Sequence, residues 1–530
     1  MRSIALAAII CAVAGAATRS QQPQAQYDLV IAGGRVIDGT GSPAWLADVA
    51  IVAGRIVAVG SIPKGTGRDA IDATGRVVAP GFIDVHTHAD DLVDHPRAEN
   101  FVRMGVTSIV AGNCGGSTLD IGEAFEKLRQ HGASVNFATF IGHNTVRRAV
   151  MGTERRDPTI GELKKMKTLV WKAMVDGAVG FSTGLQYVPG TYARLPELIE
   201  LARVAGNERG MYATHMRNEG TALEAAVEEA IAVGRSSGTR VQISHLKVDS
   251  PNRWGASGTA LALIDAARAK GLQVEADQYA YTAASSTLGI RFPSWALEGG
   301  QEKISERLND AGTWGTIKDE IRGLLAERGL PDLSFAVVAS HRADPSLNGL
   351  SIKQVAAKRK GSESADAQLE AARDLMLAGG ASMVYHFMSD DDVERIMRHP
   401  FVGIASDSSV LTPGSGIPHP RGYGNNARVL GHYVRLRNVM TLEEAVRKMT
   451  SLPAEHFRFR ARGVLAQGYA ADVVVFDPAA VKDTATFEKP HGFAAGFSDV
   501  LVNGVAVVRN GEHTGAKPGV VLAHSSSVAK

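Results

Sequence analysis

Residues 80–91 read PGFIDVHTHADD. Phe82–Val85 is a short apolar run of strand character, and the two histidines after it, His86 and His88, flank Thr87, so an extended chain projects both to one side. Similar runs recur at Val106–Ala111, Val135–Phe140, Ala178–Phe181, Met211–Thr214, Val241–Ser244, Gln273–Ala276 and Val402–Ser406. Stretches of helical periodicity, such as Ile160–Met174 and Leu223–Ser236, separate most of them. Strand-like runs alternating with helices predict βα units on a parallel sheet, and eight such units close into a (β/α)8 TIM-like barrel. The fold class is therefore α/β, with the barrel over 81–459.

Working outward, the two ends of the chain share another texture. YDLVIAGGRVIDG, DVAIVAGRIVAVG and DATGRVVAPG between Tyr27 and Gly81 are short, alternating and punctuated by glycine, as are Gly463–Pro478 and Asp499–Glu512. These predict hairpins, and the segments 27–80 and 460–512 are expected to combine into one small β-sandwich domain. The long interval before the last barrel strand, 284–395, holds Ser334–Ala339, Ser382–Phe387 and amphipathic stretches at Ser305–Leu325 and Ala365–Leu377. It is expected to form a cap inserted near the barrel mouth. Residues 513–530 form a C-terminal tail, and the part after Gly519 shows no periodicity and is expected to be frayed.

Composition narrows the function. The 530 residues carry 57 Lys+Arg against 55 Asp+Glu, a formal charge of +2, which leaves no basic footprint for nucleic acid. Arg2 precedes an apolar run, Ile4–Ala17, that ends in small residues and is too short to span a bilayer comfortably. These are the parts of a secretory signal peptide over about residues 1–22. The expectation is an exported protein, periplasmic or secreted, with no membrane span after cleavage; no feature fixes an oligomeric state. Cleavage removes Cys11 and leaves Cys114 as the one remaining cysteine, unable to form an internal disulfide.

In a parallel barrel, reactive side chains come from the C-terminal ends of the strands. Here those ends carry His86 and His88, Cys114, His215, His245 and Asp407. Four imidazoles, a thiol and a carboxylate gathered at one barrel mouth are a donor set for a first-row metal, with Zn²⁺ the best match to thiolate and imidazole together. A thiolate ligand also accounts for the solitary Cys114.

With these residues in place the chain resembles the amidohydrolase superfamily, and within it the N-acyl-D-amino-acid deacylase (D-aminoacylase) branch. The carrying motifs are PGFIDVHTHADD, GNCG at Gly112–Gly115, STGLQYVPGTYA at Ser182–Ala193, THMRNEG at Thr214–Gly220, SHLK at Ser244–Lys247, DQYAYTAASS at Asp277–Ser286, ASDSS at Ala405–Ser409 and HPR at His419–Arg421. Many superfamily relatives bridge two metals with a carboxylated lysine at the end of strand four, where this chain has Phe181-Ser182-Thr183-Gly184. The resemblance implies that Cys114, His215 and His245 hold a tight zinc, and that His86, His88 and Asp407 mark a second, weaker metal position. It implies further that Asp407 is the catalytic acid/base, that Lys247, Tyr281 and Arg421 clamp a substrate α-carboxylate, and that Tyr192 and Ser286 line the same pocket. Gln186, Val188 and Ser408 depart from the branch's usual residues, which points to a different acyl or side-chain pocket.

The expected activity is hydrolysis of an N-acyl-D-amino acid, a small molecule, to a carboxylate and a free D-amino acid. Two alternatives remain at this level. One is a zinc amidohydrolase or peptidase acting on another carboxylate-bearing amide or a D-configured dipeptide. The other is a catalytically silent scaffold, which the intact set of six ligand candidates disfavours.

Overall fold

The computed structural model describes residues 26–525; the expected signal peptide and residues 526–530 lie outside them. All eight barrel strands form where the apolar runs place them, at Phe82–Asp84, Val106–Ala111, Asn136–Thr139, Gly180–Gly184, Met211–His215, Val241–Ile243, Val274–Gln278 and Val402–Ile404. Every residue of the second, fourth and fifth is buried, because both faces are covered, by helices outside and barrel interior within. That is why these strands read as continuous apolar runs.

Neighbours pair in parallel and in chain order. Strand three passes the ladder along in two steps, Asn136–Thr139 bonding strand two and Ile141–Gly142 bonding strand four. Strand eight bonds strand seven through Ala276↔Val402 and Gln278↔Ile404. The ring closes just beyond the strands, where Thr87 bridges Ser408, the Asp407 amide donates to the His86 carbonyl at 2.9 Å, and the His88 amide donates to the Ser408 carbonyl at 2.8 Å. The seam of the barrel is thus made by the residues expected to carry the chemistry.

The helices begin and end where local chemistry requires. Ile160–Asp176 opens on a capping box in which the Thr159 hydroxyl accepts from the Glu162 amide while Glu162 reaches back to the Thr159 amide, and it ends at Gly177 in left-handed backbone. Among the described residues, no helix is long and apolar enough to cross a membrane.

The two chain ends do meet. Val473–Phe476 lies antiparallel to Val77–Pro80, and the hydrogen bonds join nine strands from both ends into one sheet. The sheet forks at Tyr27–Val36, whose first half bonds Gly67–Asp72 and whose last residues bond Val77–Pro80. At the hairpin of Phe497–Val502 and Val505–Arg509, Asn503 and Gly504 both take positive φ, 49° and 80°, as a two-residue turn of this kind demands. Between barrel strands seven and eight, Ala283–Thr287, Ser382–His386 and Ala336–Ser340 form an antiparallel three-stranded sheet. The helical stretch expected at Ser305–Leu325 is broken at Asp310, whose carboxylate caps the second helix by accepting from the Thr313 amide.

The tail departs from expectation. Instead of fraying, 519–524 runs beneath the barrel: the Phe137 amide donates to the Val520 carbonyl, the Leu522 amide donates to the Phe137 carbonyl, and the His524 amide donates to the Gly177 carbonyl. One strand-like bridge is too short to produce a periodic pattern, so the sequence carried no sign of it. Leu522 packs on the apolar cluster of Val110, Ala138 and Val179. Leu522→Ala should therefore cost about 1–2 kcal/mol, for a side chain that is only partly buried, read as a shift in the urea midpoint. An unchanged midpoint would show that the tail lies outside the cooperative core.

Candidate metal centre and catalytic cavity

Six side chains expected at the site stand together at the C-terminal mouth of the barrel. His86 is fully buried and its Nδ1 meets Asp277 Oδ1 at 3.0 Å, which turns Nε2 inward to within 3.3 Å of Cys114 Sγ and 3.4 Å of Asp407 Oδ1. Cys114 Sγ is also 3.5 Å from His245 Nε2, and His88 Nε2 is 3.0 Å from Asp407 Oδ1. The His215 and His245 rings meet edge to face at 4.5 Å. The donor atoms fall into three overlapping triads, each within 4.8 Å: His86 with Cys114 and His245; His86 with His88 and Asp407; and His215 with Glu219 and His245.

Local backbone explains how strand ends deliver these groups inward. Cys114, His245 and Asp407 all take positive φ, 53°, 35° and 52°, a region that side-chain-bearing residues rarely adopt. The Cys114 turn can pack down because the strand beside it offers no side chain: a Cβ on Gly184 would lie 2.0 Å from the Cys114 carbonyl oxygen.

The electrostatics are those of anions and imidazoles held close in a dry site. Burial opposes ionisation of Cys114, but His86 and His245 outweigh it and hold the thiol well below its ordinary value. Burial likewise opposes ionisation of Asp407, yet Arg421 and His86 hold it well below the usual carboxylate range. Burial opposes protonation of His88, while Asp407 and Cys114 hold it up at about 10. His86 is raised well above its ordinary value against burial by Asp277, Cys114 and Asp407. The thiolate and carboxylate thus draw positive charge to the imidazoles, a demand that a divalent cation can meet in place of protons. The His215 Nε2 is buried without a hydrogen-bond partner, which is the condition of a ligand atom reserved for a metal.

His88, Cys114, His215, His245 and Asp407 line a cavity of about 590 Å³, together with Lys247, Ser286 and Arg421, while His86 lies buried behind them. Arg421 Nη1 lies 2.9 Å from Asp407 Oδ2, an ion pair in which this buried donor makes no well-aligned hydrogen bond. Lys247 faces the cavity too, but its Nζ is already engaged by Glu219 Oε1 at 2.6 Å and the His245 carbonyl at 3.0 Å. Ser286 Oγ is 3.1 Å from the Tyr187 hydroxyl.

Two expected pocket residues require correction. Tyr192 sits in a short turn outside this cavity, and its hydroxyl donates to the Ser294 carbonyl at 2.6 Å. Tyr281 is also outside: its hydroxyl lies 3.4 Å from Asp483 Oδ2 and its ring packs edge-on against His419, which turns it away from the cavity. The tyrosines that do line the cavity are Tyr187, Tyr385 and Tyr279, the last stacked beneath Arg421 at 4.6 Å.

Three residues inside the quoted motifs had no assigned part. Glu219, buried four positions after His215, places Oε1 2.9 Å from His245 Nδ1 and also holds Lys247; despite burial, Lys247 and His245 keep it well below the ordinary carboxylate range. The Tyr187 hydroxyl is 3.4 Å from His215 Nδ1. Asp277 accepts from the His245 amide at 2.7 Å as well as holding His86.

A parallel barrel with a thiolate, imidazoles and a carboxylate converging at its mouth defines a metal-dependent hydrolase. A profile of the amidohydrolase family matches residues 69–508. The chain is 38% identical over 530 residues to N-acyl-D-glutamate deacylase of Alcaligenes xylosoxydans xylosoxydans, covering 96% of this chain and 98% of that protein. It is 37% identical over 532 residues to D-aminoacylase of the same organism, covering 96% and 100%. A crystal structure of N-acyl-D-glutamate deacylase from Bordetella bronchiseptica, complexed with zinc and a phosphonate inhibitor mimicking the tetrahedral intermediate, matches with a TM-score of 0.81 at 36% identity over 94% of this chain and 100% of that one. The chain belongs to the amidohydrolase family, in its D-aminoacylase branch, and is a metal-dependent amidohydrolase.

Metal affinity should rise with pH, because imidazoles held protonated must release protons to ligate. With His88 titrating at about 10, affinity in the triad containing it should gain about tenfold per pH unit per proton released between about pH 6 and about pH 8. Competition with a chelator measures this, and a flat profile would remove these imidazoles from the ligand set. Cys114→Ala should abolish retention of the tighter ion through gel filtration; a variant retaining one equivalent would reduce Cys114 to packing.

Proposed function

We propose that this enzyme hydrolyses the amide bond of N-acyl-D-amino acids, releasing a carboxylate and a free D-amino acid, and that its metal is zinc. The observation that carries this reading is the placement of Arg421 beside Asp407 in the same cavity as the thiolate and imidazoles, so that an anion-binding fork lies next to an acid/base. Full-length likeness to deacylases of this substrate class supports it.

Zinc fits the donors present, since thiolate and neutral imidazole are its preferred partners. Held by Cys114, His215 and His245, it would polarise the amide carbonyl and lower the pKa of water to about 7. His86 and His88 with Asp407 offer the second, weaker position. The remaining work falls to the chain. Asp407, ionised at neutral pH because Arg421 and His86 hold its carboxyl low, takes the proton of the attacking water and returns it to the departing nitrogen. Arg421 receives the substrate α-carboxylate, and its charge keeps Asp407 ionised. Asp277 and Glu219 fix the Nδ1 sides of His86 and His245, so that both rings present Nε2 inward.

The apolar run Ile4–Ala17, outside the described residues, supports export to the periplasm or medium; amino-terminal sequencing of the mature protein tests it.

Paired assays of N-acetyl-D- and N-acetyl-L-amino acids, with and without added zinc, test the function, and turnover confined to L substrates would overturn it. Asp407→Asn should keep the tight metal but lower kcat by about 10²–10⁴-fold, because an amide cannot accept the water's proton. Arg421→Lys should lower kcat/KM on the order of 10²-fold for free-acid substrates, since a point charge replaces a planar fork. An amidated analogue should be poor with either enzyme. Equal losses on both substrates would make Arg421 a structural residue.

A further inference from the structure

The catalytic cavity does not end at the cap. A second cavity of about 870 Å³ shares Gln186, Tyr187, Val188, Ile290 and the hydroxyl residues Thr287, Ser340 and Ser382 with it, so the two are continuous. Beyond this throat one part of the wall is aliphatic, with Leu288, Ile290, Leu297, Ile304 and Met376 contributed by the insertion between strands seven and eight, while Thr153 and Arg342 make the rest polar. Gln186 and Val188 of the strand-four loop form one side of the throat.

Resting on the deacylase reading, the geometry points to this annex as the site of the substrate's acyl chain, and to N-acyl-D-amino acids with medium or long alkanoyl groups as the preferred class. The argument is one of direction. A substrate centred on the scissile carbonyl has an amine side, which carries the carboxylate, and an acyl side. Arg421 and Asp407 claim the amine side. The acyl side then points toward Tyr187, whose hydroxyl lies 3.4 Å from His215 Nδ1 and which lines both cavities. An acetyl group would end before the throat. A space of this size is on the scale of pockets that enclose whole drug-sized ligands, about 300–1,000 Å³. Gln186 Nε2 is a buried donor at the throat without a partner; beyond it the aliphatic side of the wall favours methylenes over a second polar group. Hydrolysis adds the water's hydroxyl to the acyl carbon and its proton to nitrogen, so the products are a fatty acid and the D-amino acid.

The readout is the ratio of kcat/KM for N-octanoyl over N-acetyl derivatives of one D-amino acid, on the zinc-loaded enzyme. Each buried methylene is worth about fourfold, so the ratio should reach at least on the order of 10². Gly289 provides the control. A Cβ there would meet Leu297 Cδ1 at 3.4 Å and Met376 Cε at 3.8 Å, ordinary contacts directed into the annex. Gly289→Phe should fill it and collapse the ratio toward one, with Ala378→Phe, on the exposed far wall, as a second obstruction and thermal melting as the check on folding.

A ratio near one in the unmodified enzyme overturns the proposal, as does a high ratio that both obstructions leave intact. Preference for an aminoacyl group over an alkanoyl group of equal length overturns it too, since that would place a polar chain in the annex. If no N-acyl-D-amino acid is hydrolysed, the deacylase reading fails separately. The annex is then judged by calorimetry of the same two compounds: tighter octanoyl binding that Gly289→Phe removes upholds it, and equal binding overturns it.

Discussion

Two buried carboxylates hold the mouth of the barrel in shape. Asp84 accepts the Ser406 amide at 3.1 Å and the His86 amide at 3.2 Å, tying strand eight to strand one directly beneath the site, and burial raises it to about 6. Asp277 accepts the His245 amide and orients His86. Left-handed backbone at a residue with a side chain costs on the order of 1–3 kcal/mol and persists only where its surroundings insist on it. At His245 and Asp407 these bonds supply that insistence, which makes the aspartates as necessary to the ligand geometry as the ligands themselves.

The same logic accounts for the cysteine. A ligand carried by a long lysine side chain can reach a metal from ordinary strand backbone, whereas a cysteine is short and its backbone must come to the metal. The turn at Cys114 therefore descends into the space over strand four, and Gly184 leaves that space open. The absence of lysine at strand four and the presence of cysteine after strand two are two sides of one packing solution.

This also explains what could be read from the chain and what could not. Barrel strands were legible because double burial writes them as continuous apolar runs, and the six principal site residues were legible because each lies within three residues after one. Glu219 and Tyr187 were not, since they sit in loops whose path no periodicity describes, and Tyr281 was placed in the pocket by resemblance alone, whereas its hydroxyl turns to Asp483. Lys247 was found on the correct side but engaged by Glu219, a partner that spacing alone does not reveal. The terminal segment escaped notice because its contribution is backbone pairing with Phe137, to which its own side chains give no clue.

The sheet built from both ends of the chain has a consequence for how the protein is made. Val77–Pro80 acquires its partner, Val473–Phe476, only after on the order of 400 further residues have been synthesised, roughly 20–80 s of translation at about 5–20 residues per second. Throughout that interval an apolar strand with an unpaired edge is exposed in the nascent polypeptide. The first hairpins must remain soluble without the element that completes them, so this early segment, far from the chemistry, is where the burden on chaperones falls.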